Sequence, residues 1–236
     1  MLLRCSGLRV GHRGRAVLPA IDLEIRQAQL WAVIGRNGSG KTTWLRTALG
    51  LLPPVAGRVE HARPDLRFSY VPQKSGVDDL YPLRARDVVR MGTDRGASFL
   101  RPLFGREPAS ITRALAEMGV GDLADRPFRS LSEGQKQRVL FARLSVSDAE
   151  LAVLDEPTSA MDVVAEREAL RLLDGLRRTQ KMAIVIVSHF LGLAPEFADR
   201  AVLLDGATPA VVVGTPDEVL AHPAFKASYG DAHAGR

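Results

Sequence analysis

Residues 35–42, GRNGSGKT, constrain the fold of this chain more than any other segment. They follow the apolar run WAVI and precede a helical pattern, TWLRTALG, as a phosphate-binding loop between a strand and a helix requires. Glycines at the first, fourth and sixth positions let the backbone turn tightly and aim N–H groups at phosphate oxygens. The spacing predicts that Lys41 reaches the β- and γ-phosphates of a nucleotide and that the Thr42 hydroxyl binds Mg²⁺.

Short apolar runs alternate with helical patterns along the chain, which is typical of an α/β fold built on a largely parallel sheet. The predicted strands are 18–25, 30–34, 69–71, 151–154, 183–187 and 201–204. A long helix is predicted at 163–178, because apolar residues recur there close to the helical period. The sequence therefore predicts a largely parallel α/β sheet with the glycine-rich loop at the end of one strand.

Residues from about 74 to 129 differ from the rest of the chain. They carry several prolines and glycines and short helical stretches such as ARDVVRMG and ITRALAEMG, with no clear strand. We therefore expect one domain over 1–236, in which 1–73 and 130–236 form the α/β core and about 74–129 form a helical subdomain. The end of the chain after Gly214 is short and polar, and we expect a solvated tail there.

Composition indicates a globular protein, since 46% of the 236 residues are hydrophobic and 25% are charged. The longest unbroken apolar run, AIVIV, is much shorter than the roughly 20 residues that span a bilayer. The N-terminus lacks the long apolar stretch of a signal peptide, and the single cysteine, Cys5, cannot form an intrachain disulfide. We therefore expect a cytoplasmic protein.

The basic excess is scattered over the chain. The net charge of +5 comes mostly from arginines that do not form runs, and aromatic residues make up only 6% of the sequence. A nucleic-acid surface would need basic residues in clusters or interleaved with aromatic residues. The pattern favours a solvated, arginine-rich surface instead, and we expect no nucleic-acid partner.

Two adjacent carboxylates, Asp155 and Glu156, follow the apolar strand LAVL. Together with the phosphate-binding loop, they predict that Asp155 holds Mg²⁺, directly or through water, and that Glu156 orients and deprotonates an attacking water. His189 ends another apolar strand, and parallel strands bind ligands at their carboxyl ends. A lone histidine is more often structural, but this position predicts a contact with the γ-phosphate.

The segment SLSEGQKQR, residues 130–138, predicts a helix that begins after Ser132. Ser132 and Gln135 have the spacing of a capping box, and the apolar-periodic stretch VLFARLSV follows them. A helix start of this kind presents backbone N–H groups that favour an anion. The segment alone does not say which anion that is.

Six motifs in order resemble those of the ATP-binding subunits of ABC (ATP-binding cassette) transporters, over nearly the whole chain. GRNGSGKT resembles the Walker A motif, YVPQ places Gln73 at the Q-loop, and LSEGQ resembles the signature motif. LAVLDE resembles Walker B with Glu156 in the catalytic position, SAMD ends in the D-loop residue Asp162, and SH supplies His189 as the switch histidine. The resemblance implies a P-loop NTPase core with an antiparallel β subdomain and a helical subdomain insertion, and an active ATPase that uses ATP and Mg²⁺.

The resemblance also implies a role for each matching residue. The implied catalytic residues are Lys41, Gln73, Glu156 and His189, and the implied metal-binding residues are Thr42, Gln73 and Asp155. The implied nucleotide-binding residues are His12, Gly35, Arg36, Asn37, Gly38, Ser39, Gly40, Lys41, Thr42, Thr43, Ser132, Gly134, Gln135 and Asp162. Two subunits are expected to pack head to tail as a homodimer, so that Ser132 and Gly134 of one chain meet the γ-phosphate held by the other.

Two departures from the family pattern affect the nucleotide site. Glu133 stands where the signature motif most often has glycine, and we expect its carboxylate to point outward, away from the phosphates. His12 takes the place of the aromatic residue that stacks on adenine, and imidazole stacks less well than a tyrosine ring. Neither departure removes a predicted catalytic group.

The partner implied by the resemblance is an integral membrane permease, which this subunit would drive from the inner face of the cell membrane, together with an external substrate-binding protein. VPQKSGVDDLYPLRARDVVRMG and the ending GTPDEVLAHPAFKASYG resemble importers of zinc, manganese or iron chelates, which favours a metal-ion or metal-chelate importer. An ATPase subunit of a drug or lipid exporter and, with less support, a soluble ABC ATPase outside transport remain alternatives.

Residues 77–83 are equally well interpreted as the groove that receives the permease or as a polar loop. His222 and His233 form a poor metal site, because no cysteine or paired carboxylate accompanies them.

Overall fold

The computed structural model describes residues 1–72, 83–93, 108–158, 161–188, 194–206 and 209–230. Its strands are β1 (Leu3–Arg9), β2 (Gly11–His12), β3 (Arg15–Ala16), β4 (Ile21–Ile25), β5 (Leu30–Ile34), β6 (Ala56–His61), β7 (Phe68–Val71), β8 (Leu151–Asp155), β9 (Ala183–Ser188), β10 (Arg200–Asp205) and β11 (Ala210–Gly214). Its helices are α1 (Lys41–Ala48), α2 (Ala85–Arg90), α3 (Ala109–Glu117), α4 (Glu133–Ser145), α5 (Val163–Gln180), α6 (Ala194–Phe197), α7 (Pro216–Ala221) and α8 (Pro223–Tyr229). Gln73, His189, His233 and most of the predicted groove at 77–83 lie outside the described residues.

The larger sheet in the described part of the chain has six strands in the order β11–β10–β5–β9–β8–β7. Neighbouring strands are parallel except for β10 and β11, which form an antiparallel edge. Five of the six predicted strands lie in this sheet, so the prediction of a largely parallel α/β sheet is confirmed. The carboxyl ends of β5, β8 and β9 meet at one edge, where such sheets bind ligands.

The sixth predicted strand, at 18–25, is β4 and lies in a different sheet. β4 pairs antiparallel with β1, and β1 pairs antiparallel with β6, in a three-stranded sheet that is the expected antiparallel β subdomain. Its residues alternate between buried and more exposed positions, because one face of such a sheet meets solvent. The sequence did not predict β1. Its pairing register shifts between Cys5 and Leu8, which interrupts the alternation of buried and exposed residues along the strand.

Apolar side chains cover both faces of the larger sheet, as a parallel sheet requires. Val153 and Val185 pack on one face with α1 and the antiparallel sheet. Leu154 and Ile186 pack on the opposite face with α4 and α5, because successive residues of a strand point to opposite sides. The helix after the glycine-rich loop and the helix after Ser132 therefore lie on opposite faces of the sheet.

The short helices α2 and α3 pack against α4, which covers one face of the sheet. α2 and α3 occur where short helices are predicted, and their buried residues Val88, Ile111 and Leu115 share one apolar cluster with Phe141 of α4. α5 covers the predicted long helix at 163–178 and contributes Leu173 to the same cluster. No helix in the described ranges combines the length and the apolar character needed to cross a membrane.

Residues 215–230, the part of the segment after Gly214 that the structure describes, are not the solvated tail that their polar composition predicts. α7 and α8 pack over β10 and β11, and Val219 and Phe225 are fully buried. The Phe225 ring also stacks on Tyr229 with 4.8 Å between ring centroids. The expectation was wrong because the apolar residues are few but lie on the faces of two short helices that meet the sheet.

Candidate functional site

The glycine-rich loop joins the buried strand β5 to α1 at the carboxyl edge of the sheet. A Cβ atom at Gly35 would lie 2.3 Å from the carbonyl oxygen of Leu204 and 2.5 Å from Ser39 Oγ, so only glycine fits there. Gly40 has a φ of 99°, in the left-handed region that favours glycine, and it directly precedes the first helical residue. The loop N–H groups are therefore held at a helix start, where an anion is favoured.

Lys41 is the first residue of α1 and is only 7% exposed. Its Nζ donates hydrogen bonds to the carbonyl oxygens of Gly35 at 2.5 Å and Arg36 at 2.9 Å. Burial lowers the pKa of Lys41, while the charges of Glu156 and Asp155 act in the opposite direction. The structure thus brings the predicted phosphate-binding lysine together with both predicted carboxylates.

Ser39 has a property that fits a phosphate ligand. Its Oγ is buried and has no hydrogen-bond partner among the residues that the structure describes. A buried hydroxyl of this kind normally has a partner, and a phosphate oxygen would supply one. The neighbouring predicted residues Arg36, Asn37, Gly38 and Thr42 are exposed on the outside of the loop and on the first turn of α1.

Asp155 is the last residue of β8, and Glu156 follows it in a tight turn. The Glu156 N–H donates to the carbonyl oxygen of Val187 on β9 at 2.8 Å, and the residue is 9% exposed. Its φ of 50° lies in the left-handed region, which costs a non-glycine residue roughly 1–3 kcal/mol. Strain of this kind persists where the surroundings hold it, and active sites are common among such places.

Tyr70 is a site residue to which the sequence assigned no role. Its hydroxyl donates to Asp155 Oδ2 at 3.1 Å. Burial raises the pKa of Tyr70 to about 12, and the charge of Asp155 and this hydrogen bond add to the shift, so the phenol is a donor at neutral pH. The only sequence signal was its position on a predicted strand, three residues before Gln73.

His12 lies on the short hairpin formed by β2 and β3. Its Nε2 is 3.3 Å from Oγ1 of Thr43 in the first turn of α1, and the residue is exposed. The structure therefore places the predicted adenine contact beside the helix that follows the glycine-rich loop. An imidazole at this position presents a planar ring that an adenine base can stack on.

Ser132 begins α4 with the capping box that the sequence predicts. Its hydroxyl accepts from the Gln135 N–H at 3.3 Å, and its own N–H donates to Gln135 Oε1 at 3.0 Å. The Glu133 side chain is 63% exposed and pairs with Lys136 of the same helix at 2.9 Å, so the expectation that its carboxylate avoids the phosphates stays a prediction. A Cβ atom at Gly134 would meet nothing within 4 Å, so this helix start is open.

Asp162 begins α5, and its Oδ1 accepts from the Ala165 N–H at 2.9 Å. Val163 and Val164, which follow it, are 57% and 71% exposed although they are large and apolar. In the turn after Glu156, the hydroxyl of Thr158 donates a hydrogen bond to the buried carboxyl of Glu166 on α5 at 3.0 Å, which joins this turn to the helix. Asp162 and Ser132 both begin helices on the face of the sheet opposite to α1.

Comparison with known families gives one match over most of this site. The family model described as "ABC transporter" matches residues 18–159. The zinc import ATP-binding protein ZnuC of Cereibacter sphaeroides is 39% identical over 225 residues, covering 95% of this chain and 87% of its own length. The protein of the same name from Pseudomonas entomophila is 38% identical over 229 residues, covering 97% of this chain and 84% of its own length.

Solved structures have the same fold. A chain described as a metal-chelate type ABC transporter in an inward-facing conformation matches with a TM-score of 0.81 and 27% identity, covering 97% of this chain and 88% of its own. The structure of cbiO1 from Clostridium perfringens, part of the ABC transporter complex cbiONQ, matches with a TM-score of 0.77 and 24% identity, covering 94% of this chain and 91% of its own. The second likeness concerns the fold alone.

Proposed function

We propose, from the premise that this chain belongs to the ABC transporter family, that it hydrolyses ATP to power the import of zinc across a membrane. The family is one of ATP-binding subunits with ATPase activity, so the chain is an ATPase. Relatives named for zinc import match nearly the whole chain at 37–39% identity, and this observation carries the metal cargo. The likeness to a metal-chelate type ABC transporter supports the same class of cargo.

The site supports in-line attack of water on the γ-phosphorus of ATP. The loop N–H groups and Lys41 would hold the phosphates and offset the charge that develops on them. Glu156 would take a proton from the attacking water while the water oxygen forms a bond to the γ-phosphorus. The bond between the γ-phosphorus and the β–γ bridging oxygen breaks in the same step. ADP and inorganic phosphate are the products. Gln73 and His189 keep the catalytic roles that the resemblance implies, with His189 as the contact of the γ-phosphate.

A magnesium ion fits the donors that the chain places near the loop. Hydroxyl and carboxylate oxygens are the ligands that Mg²⁺ prefers. Thr42, Asp155 and Gln73 are proposed to hold it. The ion would screen the negative charge of the β- and γ-phosphates.

The second half of the nucleotide site is proposed to come from another copy of this chain. Two subunits would pack head to tail, so that Ser132, Gly134 and Gln135 meet ATP bound by the partner. The open space at Gly134 and the helix start capped by Ser132 support this reading. The exposed apolar residues Val163 and Val164, next to Asp162, would be covered in such a dimer.

The proposed domain and partners follow from the same family. We assign 1–73 and 130–236 to an α/β core and about 74–129 to a helical subdomain of one ABC ATPase domain. The subunit would act at the cytoplasmic face of the cell membrane on an integral permease, which is supplied by an external zinc-binding protein. His12 would stack on the adenine base.

The variant Glu156→Gln tests this proposal, because it removes the carboxylate base and keeps the size and shape of the side chain. ATP turnover should fall about 10²–10⁴-fold while ATP still binds, because the loop and Lys41 are intact. Tagged Glu156→Gln extracted from native membranes with ATP should bring down a polytopic membrane protein. In cells that lack the chain, wild type should restore Zn²⁺ uptake and Glu156→Gln should not.

Lys41→Ala is the matched control, since it should lose ATP binding itself rather than turnover alone. Normal hydrolysis by Glu156→Gln would refute its role as the base. Recovery of only ribosomes, DNA-associated proteins or the free chain would refute the transporter assignment. Zn²⁺ uptake that does not depend on the chain would refute the cargo while leaving the ATPase intact.

A further inference from the structure

Tyr70 links two parts of the molecule that the proposed reaction needs. Its hydroxyl donates to Asp155 Oδ2 at 3.1 Å, and its carbonyl oxygen accepts from Arg143 Nη2 at 3.1 Å. Asp155 ends the strand that carries the proposed base, and Arg143 belongs to α4, the helix that begins at Ser132. The contact with Asp155 belongs to the site described above, and the contact with Arg143 joins that site to α4.

The register of the sheet explains why Tyr70 can reach this carboxylate. Tyr70 on β7 is the Cα partner of Val153 on the parallel strand β8, so Asp155 lies two residues further along. Residues two positions apart on a strand share one face, so Tyr70 and Asp155 lie on the same face of the sheet. Ser69 comes next to Tyr70 on the same strand and points to the opposite face.

We propose that Tyr70 is a positioning residue, whose hydroxyl holds Oδ2 of Asp155 so that the other carboxylate oxygen is presented to the metal of the nucleotide complex. This inference rests on the proposed function, in which Asp155 receives Mg²⁺. A carboxylate with one oxygen fixed by a hydrogen bond keeps one orientation, and outer partners of this kind tune metal affinity. The contact from Arg143 fixes the strand that carries the phenol.

The test measures ATP affinity by calorimetry in excess Mg²⁺ and in excess EDTA, with Glu156→Gln present in every variant to prevent turnover. Tyr70→Phe removes only the hydroxyl. Its ATP affinity in EDTA should equal that of the parent, and the gain in affinity on adding Mg²⁺ should shrink about tenfold, as for other outer partners of metal ligands. Ser69→Ala, which loses a hydroxyl from the same strand, should match the parent in both conditions.

A double-mutant cycle separates positioning from general damage. Asp155→Asn should reduce the Mg²⁺-dependent gain, and adding Tyr70→Phe to it should cause no further loss if the phenol acts through this carboxylate. An unchanged gain in Tyr70→Phe, or additive losses in the double variant, would overturn the inference and leave the proposed function standing. An unchanged gain in Asp155→Asn would overturn the metal assignment itself. Thermal melts check that every variant folds, and Tyr70→Phe keeps the aromatic ring, so it loses only the hydrogen bond to Asp155.

Discussion

Glu166 is a buried acid beneath the turn that carries the proposed base. It is 5% exposed and accepts a hydrogen bond from Thr158 Oγ1 at 3.0 Å. Burial raises the pKa of Glu166 above its ordinary value of 4.5, and the bond from Thr158 only partly opposes that shift. The hydrogen bond between Thr158 and Glu166 therefore joins the segment after Glu156 to α5. The stability of this contact depends on pH, because Glu166 is less stable in its charged form.

The sign of this dependence leads to a prediction. A carboxyl whose pKa is higher in the folded state adds stability that is complete below pH 4.5 and is lost as pH rises through the folded-state pKa. Glu166→Gln keeps an acceptor for Thr158 without a charge, so its Tm should exceed that of wild type at pH 7 and approach it near pH 4. Parallel melting curves of the two proteins over that range would measure this.

Glu117→Gln is the control for Glu166→Gln, because Glu117 is exposed on α3. Its Tm should follow that of wild type at every pH. A Glu166→Gln protein that is less stable than wild type at pH 7 would mean that the charged carboxylate is stabilised there, against the direction given by its burial.

At the scale of elements, two of the helices that the structure describes, α4 and α7, begin with a Ser or Thr cap. α4 begins with Ser132 and Gln135, and α7 begins with Thr215 and Glu218, each pair forming a reciprocal capping box. Both serve their own helix in the same way, by accepting from the third N–H and donating from the cap N–H. The start of α4 is assigned to ATP, and the start of α7 has no such role.

Ser132→Ala and Thr215→Ala form a matched pair for this reason. Each should lower the free energy of unfolding by about 1 kcal/mol, since each removes a cap hydroxyl. Only Ser132→Ala should also slow ATP hydrolysis by the dimer, and denaturant melts with turnover assays would measure both effects. Equal loss of turnover in the two variants would show that the cap of α4 acts through stability alone.

At the scale of the whole molecule, the last two described helices close one end of the large sheet. Phe225 is fully buried among Ile34, Leu203 and Val219, and α8 is also tied to Asp205 at the end of β10 by Ser228. Asp205 is itself buried, and Leu204 before it packs against Gly35 of the nucleotide loop. Helices α7 and α8 thus pack on β10, the strand whose residue Leu204 contacts the glycine-rich loop.

Phe225→Ala should therefore destabilise the whole protein by about 3–5 kcal/mol, which lowers its Tm by roughly 10 °C. Lys226→Gln is the control, since Lys226 is exposed on the same helix and its replacement should melt like wild type. Calorimetric scans of the three proteins would decide this. A Tm for Phe225→Ala within about 2 °C of wild type would mean that α8 adds little to the fold.

Local sequence was enough to predict several elements from spacing along the chain, although it missed β1 and α7. The glycine-rich loop, the strand that ends in Asp155, the capped helix after Ser132 and the long helix α5 all follow from residues a few positions apart. The glycines, the capping box and the apolar periods act through nearby backbone, so their physical effect is local. The functional roles of Lys41, Asp155 and Glu156 follow from the same local motifs and stay predictions.

Tertiary structure alone decided which distant residues meet. The contact of Tyr70 with Asp155 depends on the parallel pairing of β7 with β8, in which Tyr70 is the partner of Val153. No local pattern specifies this register, because the two strands are far apart in sequence. Burial of Phe225 in an apparently polar tail and of Glu166 under the turn after Glu156 depends likewise on which faces the folded sheet leaves to be covered. Such contacts bring together groups that are far apart in sequence, so their energies exist only once the chain has folded.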